Sequence, residues 1–203
     1  METVDVCVEA GGRRVFASAL DWPGWCRSGK TLTEALAALE ACAPRYRAVA
    51  AAAGLTLPQE FEFQVVETLP GNATTEFGAP GIVAHAEQRS LSRADGRRLA
   101  DLLRGSWKVL DQVASEAPAQ LRKGPRGGGR DTDKVIDHVQ AAEDAYARQV
   151  GVKVKDWAAR RAALLAVVEA GGESGGRWPL AYLVRRAAWH VVDHAWEIED
   201  RST

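Results

Sequence analysis

Residues 189–197 have the sequence WHVVDHAWE, and this stretch near the C-terminus indicates how the rest of the chain is organised. His190 and His194 lie four residues apart in a segment typical of a helix, so at about 100° per residue their rings share one face. Glu197, three residues further on, falls on that face as well. Two imidazoles on one helix face offer two ligands to a metal ion, and a metal site needs at least one more ligand from elsewhere.

The chain has 4 histidines, so the candidates for the remaining ligand are few. His138 lies in residues 131–143, a second segment of helical character. We predict a three-histidine metal site formed by His138, His190 and His194, because neutral imidazole is the commonest side-chain ligand for a metal ion. Three protein ligands leave one position open, as in catalytic rather than structural zinc sites. The alternative is that two histidines merely share the face of a partly buried helix.

Glu197 allows three interpretations. It is a fourth metal ligand, a hydrogen-bond partner of a ligating imidazole, or a surface acid near the end of the chain. Asp193 lies roughly 60° around the helix from His190, which favours a surface position. We therefore name Glu197 as the acid most closely associated with the histidines and leave its role open.

Length and composition exclude several classes of protein. A chain of 203 residues, 46% hydrophobic and 26% charged, has room for one large domain or two small ones. The formal net charge of −1 gives no electrostatic reason to expect nucleic acid as the main partner. No apolar run approaches the ~18 residues that cross a bilayer, and the N-terminus lacks the features of a signal peptide. The 3 widely spaced cysteines fit a reducing compartment, so we predict a cytoplasmic protein without membrane association.

The first part of the chain, residues 1–70, is typical of a small α+β domain. Alternating apolar residues at 4–8 and 14–20 predict a β-hairpin, and a short third strand follows near Trp25. Thr31 and Glu34 have the spacing of a capping box, which predicts the start of a helix. Pro44 predicts a kink in that helix or its division into two pieces that end near Gly54. Alternation from Phe61 to Val65 predicts a further strand.

Residues 68–80 contain many turn-forming residues, which predicts a domain boundary there. Beyond it the apolar period becomes that of a helix, and four amphipathic helices with short loops predict a four-helix bundle over residues 80–203. We predict that the first three helices begin at the N-caps Ser92, Asp131 and Asp156. The third helix is predicted to end at Gly171, and Pro179 to lie in the first turn of the fourth. Between the first two helices, the segment 122–130 is rich in glycine and arginine and predicts a flexible basic loop.

Residues 80–203 resemble the DinB/YfiT-like family of metal-binding four-helix bundles. The resemblance rests on a histidine followed five residues later by a glutamate, His138 and Glu143, and on the His-x-x-x-His pattern of His190 and His194. It implies that the three histidines ligate a divalent metal, usually zinc, nickel or iron. Because Glu143 lies about 140° around the helix from His138, we expect it to form a salt bridge or cap rather than to ligate.

Residues 3–67 resemble a HicB-like domain. The resemblance rests on residues 17–24, ASALDWPG, followed by Gly29, Thr31 and Glu34. Trp25 stands where that family often has cysteine after Pro-Gly, and no DNA-binding tail is visible. The resemblance therefore implies a small α+β fold more than it implies toxin neutralisation.

The DinB-like resemblance implies a function: a metal-dependent thiol S-transferase or related enzyme that uses a low-molecular-weight thiol. In that mechanism a metal-bound thiolate attacks a small electrophile, so the expected partners are a small thiol or electrophile. Arg186, within about 40° of the histidine face, is a hypothetical holder of the thiol's carboxylate. The alternative function is a non-catalytic metal- or ligand-binding module whose HicB-like domain recruits a partner. A homodimer is a further expectation, since bundles of this family often pair through helix faces.

Overall fold

The structure is a computed structural model that describes residues 2–124 and 129–202. Over these residues the fold is mixed α+β, with a strand-rich N-terminal part followed by helices. The fold class predicted from the sequence is confirmed at this level. None of the helices in the described ranges is long and apolar enough to cross a membrane.

A four-stranded sheet organises the N-terminal part. Its strands are β1 (Glu2–Ala10), β2 (Val15–Ala19), β3 (Cys26–Gly29) and β4 (Phe61–Pro70), and their order across the sheet is β3-β2-β1-β4. β1 and β2 form the predicted antiparallel hairpin, whereas β4 returns parallel to β1. A parallel return needs a long crossover, and the two helices between β3 and β4 provide it.

The predicted interruption at Pro44 is confirmed. The first helix, α1 (Leu32–Ala41), begins at Thr31, whose side chain accepts a hydrogen bond from the Glu34 amide at 3.2 Å. Because proline fits the first turn of a helix but not its interior, the chain restarts as α2 (Ala43–Ala52).

The segment 68–80 is more regular than we predicted. β4 runs to Pro70, since its main chain keeps pairing with β1 beyond a register shift. Asn72 then caps a short helix, α3 (Ala73–Phe77), by accepting hydrogen bonds from the next amides. A 3-10 turn at His85–Gln88 follows. Residues whose composition suggested a loop thus form the end of β4, at Pro70, and a short helix capped by Asn72. The domain boundary placed there stays a prediction.

Four long helices follow, close to their predicted positions. They are α4 (Arg93–Glu116), α5 (Thr132–Gln149), α6 (Trp157–Ala170) and α7 (Leu180–Ser202). They share a large apolar core that includes Leu103, Leu110, Leu164 and Leu183. Their arrangement brings α5 and α7 side by side, which positions the histidines.

The predicted caps differ in detail. Ser92 and Asp156 cap α4 and α6 as expected, each accepting a hydrogen bond from the amide three residues on. Asp131 stands before α5 but does not cap it, because its carboxylate binds the Leu121 amide and the Lys123 ammonium instead. Part of the predicted basic loop, residues 125–128, lies outside the described residues.

Helix α7 joins the two parts of the fold. One side of it contributes to the helical core, while Val192 and Trp196 pack into the core beneath the sheet. In that second core Trp25 stacks on Tyr46 with ring centroids 5.6 Å apart. The histidine-bearing helix is thus held on both sides.

Candidate metal centre

The three predicted histidines lie together. His138 projects from α5, and His190 and His194 project from successive turns of α7. The ring centroid of His138 lies 5.0 Å from that of His190 and 4.9 Å from that of His194, and the ring centroids of His190 and His194 are 4.6 Å apart. The face of α7 that carries His190 and His194 therefore lies against the side of α5 that carries His138.

The nitrogen atoms of the three rings converge. The Nε2 atoms of His138 and His190 are 3.2 Å apart, and one nitrogen from each of the three rings lies within 4.8 Å of the others. Two nitrogens that share a tetrahedral zinc ion at 2.0–2.1 Å are separated by about 3.3 Å. The three histidines are therefore close enough to hold a metal ion, and the closest pair already has the separation that a shared ion requires.

His190 is the most deeply buried of the three, with 7% of its surface exposed. Burial, followed by the charges of His194 and His138, lowers its pKa to about 2, so the ring stays neutral. Its Nδ1 atom has no hydrogen-bond partner in the described part of the chain. In either tautomer the contact with His138 satisfies only one nitrogen, so this ring retains an unmet bonding capacity.

His138 is half-buried, and burial, with the nearby His194, lowers its pKa as well. His194 differs, because its Nδ1 lies 2.8 Å from a carboxylate oxygen of Glu197. Arg201 donates to the other oxygen of that carboxylate at 2.7 Å. The hydrogen bond from His194 is the main cause of the lowered pKa of Glu197, and Glu197 in turn orients the ring so that Nε2 faces the cluster.

Aromatic side chains surround the histidines. Tyr146, on α5, places its ring edge-on to His190 at 5.8 Å and packs against Trp178 at 5.4 Å. Arg186 stacks over Trp189 and Tyr146 and donates to the Pro80 carbonyl, so it lies beside the cluster. The sequence does not single out Tyr146, because its position eight residues after His138 lies about 80° around α5 from that histidine.

Glu143 does not face the cluster. It is fully buried and receives hydrogen bonds from Arg161 at 3.2 and 3.3 Å and from the Trp157 indole. Asp193 pairs instead with Arg27 on β3 at 3.1 Å. The expected structural role of Glu143 therefore agrees with its contacts, and neither acid is available to the histidines.

The three cysteines are not nucleophile candidates. All are buried free thiols. Burial raises the pKa of Cys7 and Cys26 to about 12 and raises that of Cys42 as well. Thiol chemistry in this protein would need a thiol from outside the chain.

The fold and site together define an α+β protein with a histidine triad that could bind a metal ion. No protein-family model matches the chain, and comparison with curated proteins and with solved structures gives no match. The DinB-like and HicB-like resemblances therefore stay predictions.

Proposed function

We propose that this protein binds one divalent metal ion, zinc, nickel or iron, through His138, His190 and His194. The observation that carries the proposal is the convergence of three imidazole nitrogens within 4.8 Å. The 3.2 Å separation of the Nε2 atoms of His138 and His190 supports it, because it is the separation expected of two nitrogens that share one ion.

The chemistry of the donor set fits these metals. His190 and His138 are held neutral by burial, which keeps their lone pairs available, and His194 is oriented by Glu197. When bound, a divalent ion at three histidines supplies Lewis acidity that lowers the pKa of a thiol or water in its open position. Tyr146 packs edge-on against His190 and also contacts Trp178, so one side of the His190 ring faces an aromatic side chain.

We further propose that the helical part is a DinB-like four-helix bundle and that the activity is thiol S-transfer. Support comes from the order and spacing of the three histidines and from their placement on α5 and α7. In that reaction the thiol proton passes to solvent, the sulfur bonds to the electrophilic carbon, and the leaving group departs with its electron pair. The substrates are then a low-molecular-weight thiol and a small electrophile.

A non-catalytic metal-binding module with a partner-recruiting HicB-like domain is the second candidate. The carboxylate nearest the histidines favours it, because Glu197 is engaged by both His194 and Arg201 and is not free to act as a base. Thiol transfer that begins with a metal-activated thiol does not need such a base, so the two candidates are separated by turnover rather than by metal content.

Metal content is measured first, by plasma mass spectrometry of tag-free protein incubated with each ion. We expect about one equivalent in the wild type and none in a His190→Ala, His194→Ala double variant. His85→Ala is the matched control, because His85 is exposed, lies outside the triad and contacts Glu67. A wild type that binds none of the three ions, or a double variant that binds as much as the wild type, contradicts the proposed site.

Turnover is measured next, on the metal-loaded protein with a panel of small thiols and electrophiles. Thioether product that depends on both the metal and the triad supports the S-transferase. Full metal loading with no product above the double-variant background supports the non-catalytic module.

A further inference from the structure

A cavity of about 490 Å³ lies between the sheet and α7, next to the histidine triad but not lined by it. Its volume is within the range of pockets that bind small molecules. One wall is the outer face of β2 and β3, and the other is α7. Glu197 belongs to both the cavity wall and the triad, since it also holds His194.

Charges in this cavity are divided between its walls. Arg14 and Arg27 come from the sheet side, whereas Asp193, Glu197 and Asp200 lie along one face of α7. Two ion pairs cross the cavity: Arg27 of β3 binds Asp193 of α7 at 3.1 Å, and Arg45 of α2 binds Asp200 of α7 at 3.0 Å.

Arg14 is the exception. Among the described residues it has no carboxylate partner, and its only side-chain hydrogen bond goes to the Ser28 hydroxyl at 3.4 Å. Its neighbour Arg13 behaves differently, since it pairs with Glu76 outside the cavity. The cavity therefore contains one guanidinium that no carboxylate of residues 2–124 and 129–202 pairs with.

Aromatic side chains line the same cavity as that guanidinium. Arg14 directly precedes β2 and Phe16 is the second residue of that strand. Phe16 packs edge-on against Trp189 with ring centroids 6.1 Å apart, and both line the cavity. Cys26 lines it too, but its raised pKa keeps the thiol neutral. A ligand there meets the Arg14 guanidinium, two ion pairs, Glu197 and the ring pair of Phe16 and Trp189.

We propose that this cavity binds a small organic carboxylate, with the carboxylate on Arg14 and its apolar body against Phe16 and Trp189. An arginine fork matches the two oxygens of a carboxylate, which gives the site its selectivity for an anion. The site does not require a metal ion at the histidines, although it reaches Glu197.

Phenylacetate is a suitable probe, with 2-phenylethanol as its neutral counterpart of similar shape. Binding is followed by the indole N–H signals in two-dimensional NMR, where Trp189 reports on the cavity and Trp107 on the remote helical core. We expect phenylacetate to shift the Trp189 signal in a saturable way and 2-phenylethanol to bind about tenfold more weakly. Equal binding of the two probes, or no shift at Trp189, overturns the proposal.

Three variants test the role of Arg14. Arg14→Gln is expected to weaken phenylacetate binding about tenfold, and Arg14→Lys to recover part of it. Arg13→Gln is the matched control and should bind like the wild type; an equal loss there would show diffuse attraction and contradict the site. Repeating the titration on the His190→Ala, His194→Ala variant separates this proposal from the metal site, because its phenylacetate binding should be retained.

Discussion

Helix α7 carries two buried polar clusters that differ in how completely their bonding groups are satisfied. The first surrounds Arg185, which is 2% exposed and donates to Glu87 at 2.6 and 2.9 Å. It also donates to the Ile82 carbonyl at 2.7 Å and lies 3.7 Å from the buried Glu9. Burial pulls the pKa of Arg185 down, but Glu87 and Glu9 more than offset this, and the net shift is upward.

The second cluster is the histidine triad, about one turn further along α7. Its rings contact one another, a carboxylate reaches only His194, and Nδ1 of His190 has no partner among the described residues. Both carboxylates of the first cluster, by contrast, accept additional backbone amide hydrogen bonds, for example Glu9 from Gly81 at 2.8 Å.

This difference indicates a structural role for the Arg185 cluster and a ligand-binding role for the histidine triad. The Arg185 cluster connects β1, the 3-10 turn and α7, and its charged groups bind one another rather than a ligand. The burial of His190 is only partly compensated, because one of its ring nitrogens has no partner among the described residues. The convergence of the three rings is explained if a metal ion binds between them.

The largest effect is expected for Arg185→Leu. The substitution leaves Glu9 and Glu87 buried without a cation, and breaking a buried pair in this way costs about 3–5 kcal/mol. Urea unfolding of the metal-free protein measures the change in the free energy of unfolding.

Arg186→Leu is the control for that measurement, because Arg186 is the next residue, is only half-buried and has no carboxylate partner in the described ranges. It should cost no more than about 1.5 kcal/mol. Adding Glu87→Gln and Glu9→Gln to Arg185→Leu should recover part of the loss. Equal losses for the two arginine variants would contradict a structural role specific to the Arg185 cluster.

Glu197→Gln sharpens the comparison at the other cluster. The carboxylate accepts from His194 at 2.8 Å, and replacing such a partner typically weakens metal affinity about 10–100-fold. A competition titration of zinc against a chromophoric chelator measures the affinity. Asp193→Asn is the control, since Asp193 is on the same helix but pairs with Arg27; a loss as large in this variant would show a general charge effect.

The histidine cluster could be predicted from the sequence, while the Arg185 cluster could not. Four-residue spacing places His190 and His194 on one face of any helix, and the helical period of both segments is a local signal. Arg185 binds Glu87, which is 98 residues away, through a side chain that sits in an apolar stretch of α7. No local pattern pairs such groups, and only the packing of β1, the 3-10 turn and α7 brings them together.

The N-caps of the helices also show that a local sequence pattern cannot predict a contact made by the tertiary fold. Ser92 and Asp156 cap their helices because the amides that donate to their side chains are three residues away, which the sequence displays. Asp131 has the same local pattern, yet its carboxylate is taken by Leu121 and Lys123 from the preceding loop. A local preference was overridden there by a contact that depends on the tertiary fold.

The two clusters should also respond in opposite directions to removal of their polar group. His190→Leu replaces a buried, half-satisfied ring with an apolar side chain of similar volume. We expect it to stabilise the metal-free protein by about 1 kcal/mol, whereas Arg185→Leu destabilises it. Urea unfolding in the presence of a chelator measures both, and destabilisation by His190→Leu would show that the ring contributes to stability without a metal.

Lowering the pH should enlarge the difference in stability between the metal-free wild type and His190→Leu. The pKa of His190 is about 2 in the folded protein, because the ring is buried next to His194 and His138, whereas an unfolded histidine titrates near 6.5. Between these values the unfolded chain binds a proton that the folded protein does not, so the stability associated with His190 is complete above pH 6.5 and falls below it. Lowering the pH from 7 to 5.5 should cost the metal-free wild type about 1.2 kcal/mol more than His190→Leu. Parallel stability curves for the two proteins would mean that the folded protein can protonate this ring, and its neutrality as a metal ligand would lose its physical basis.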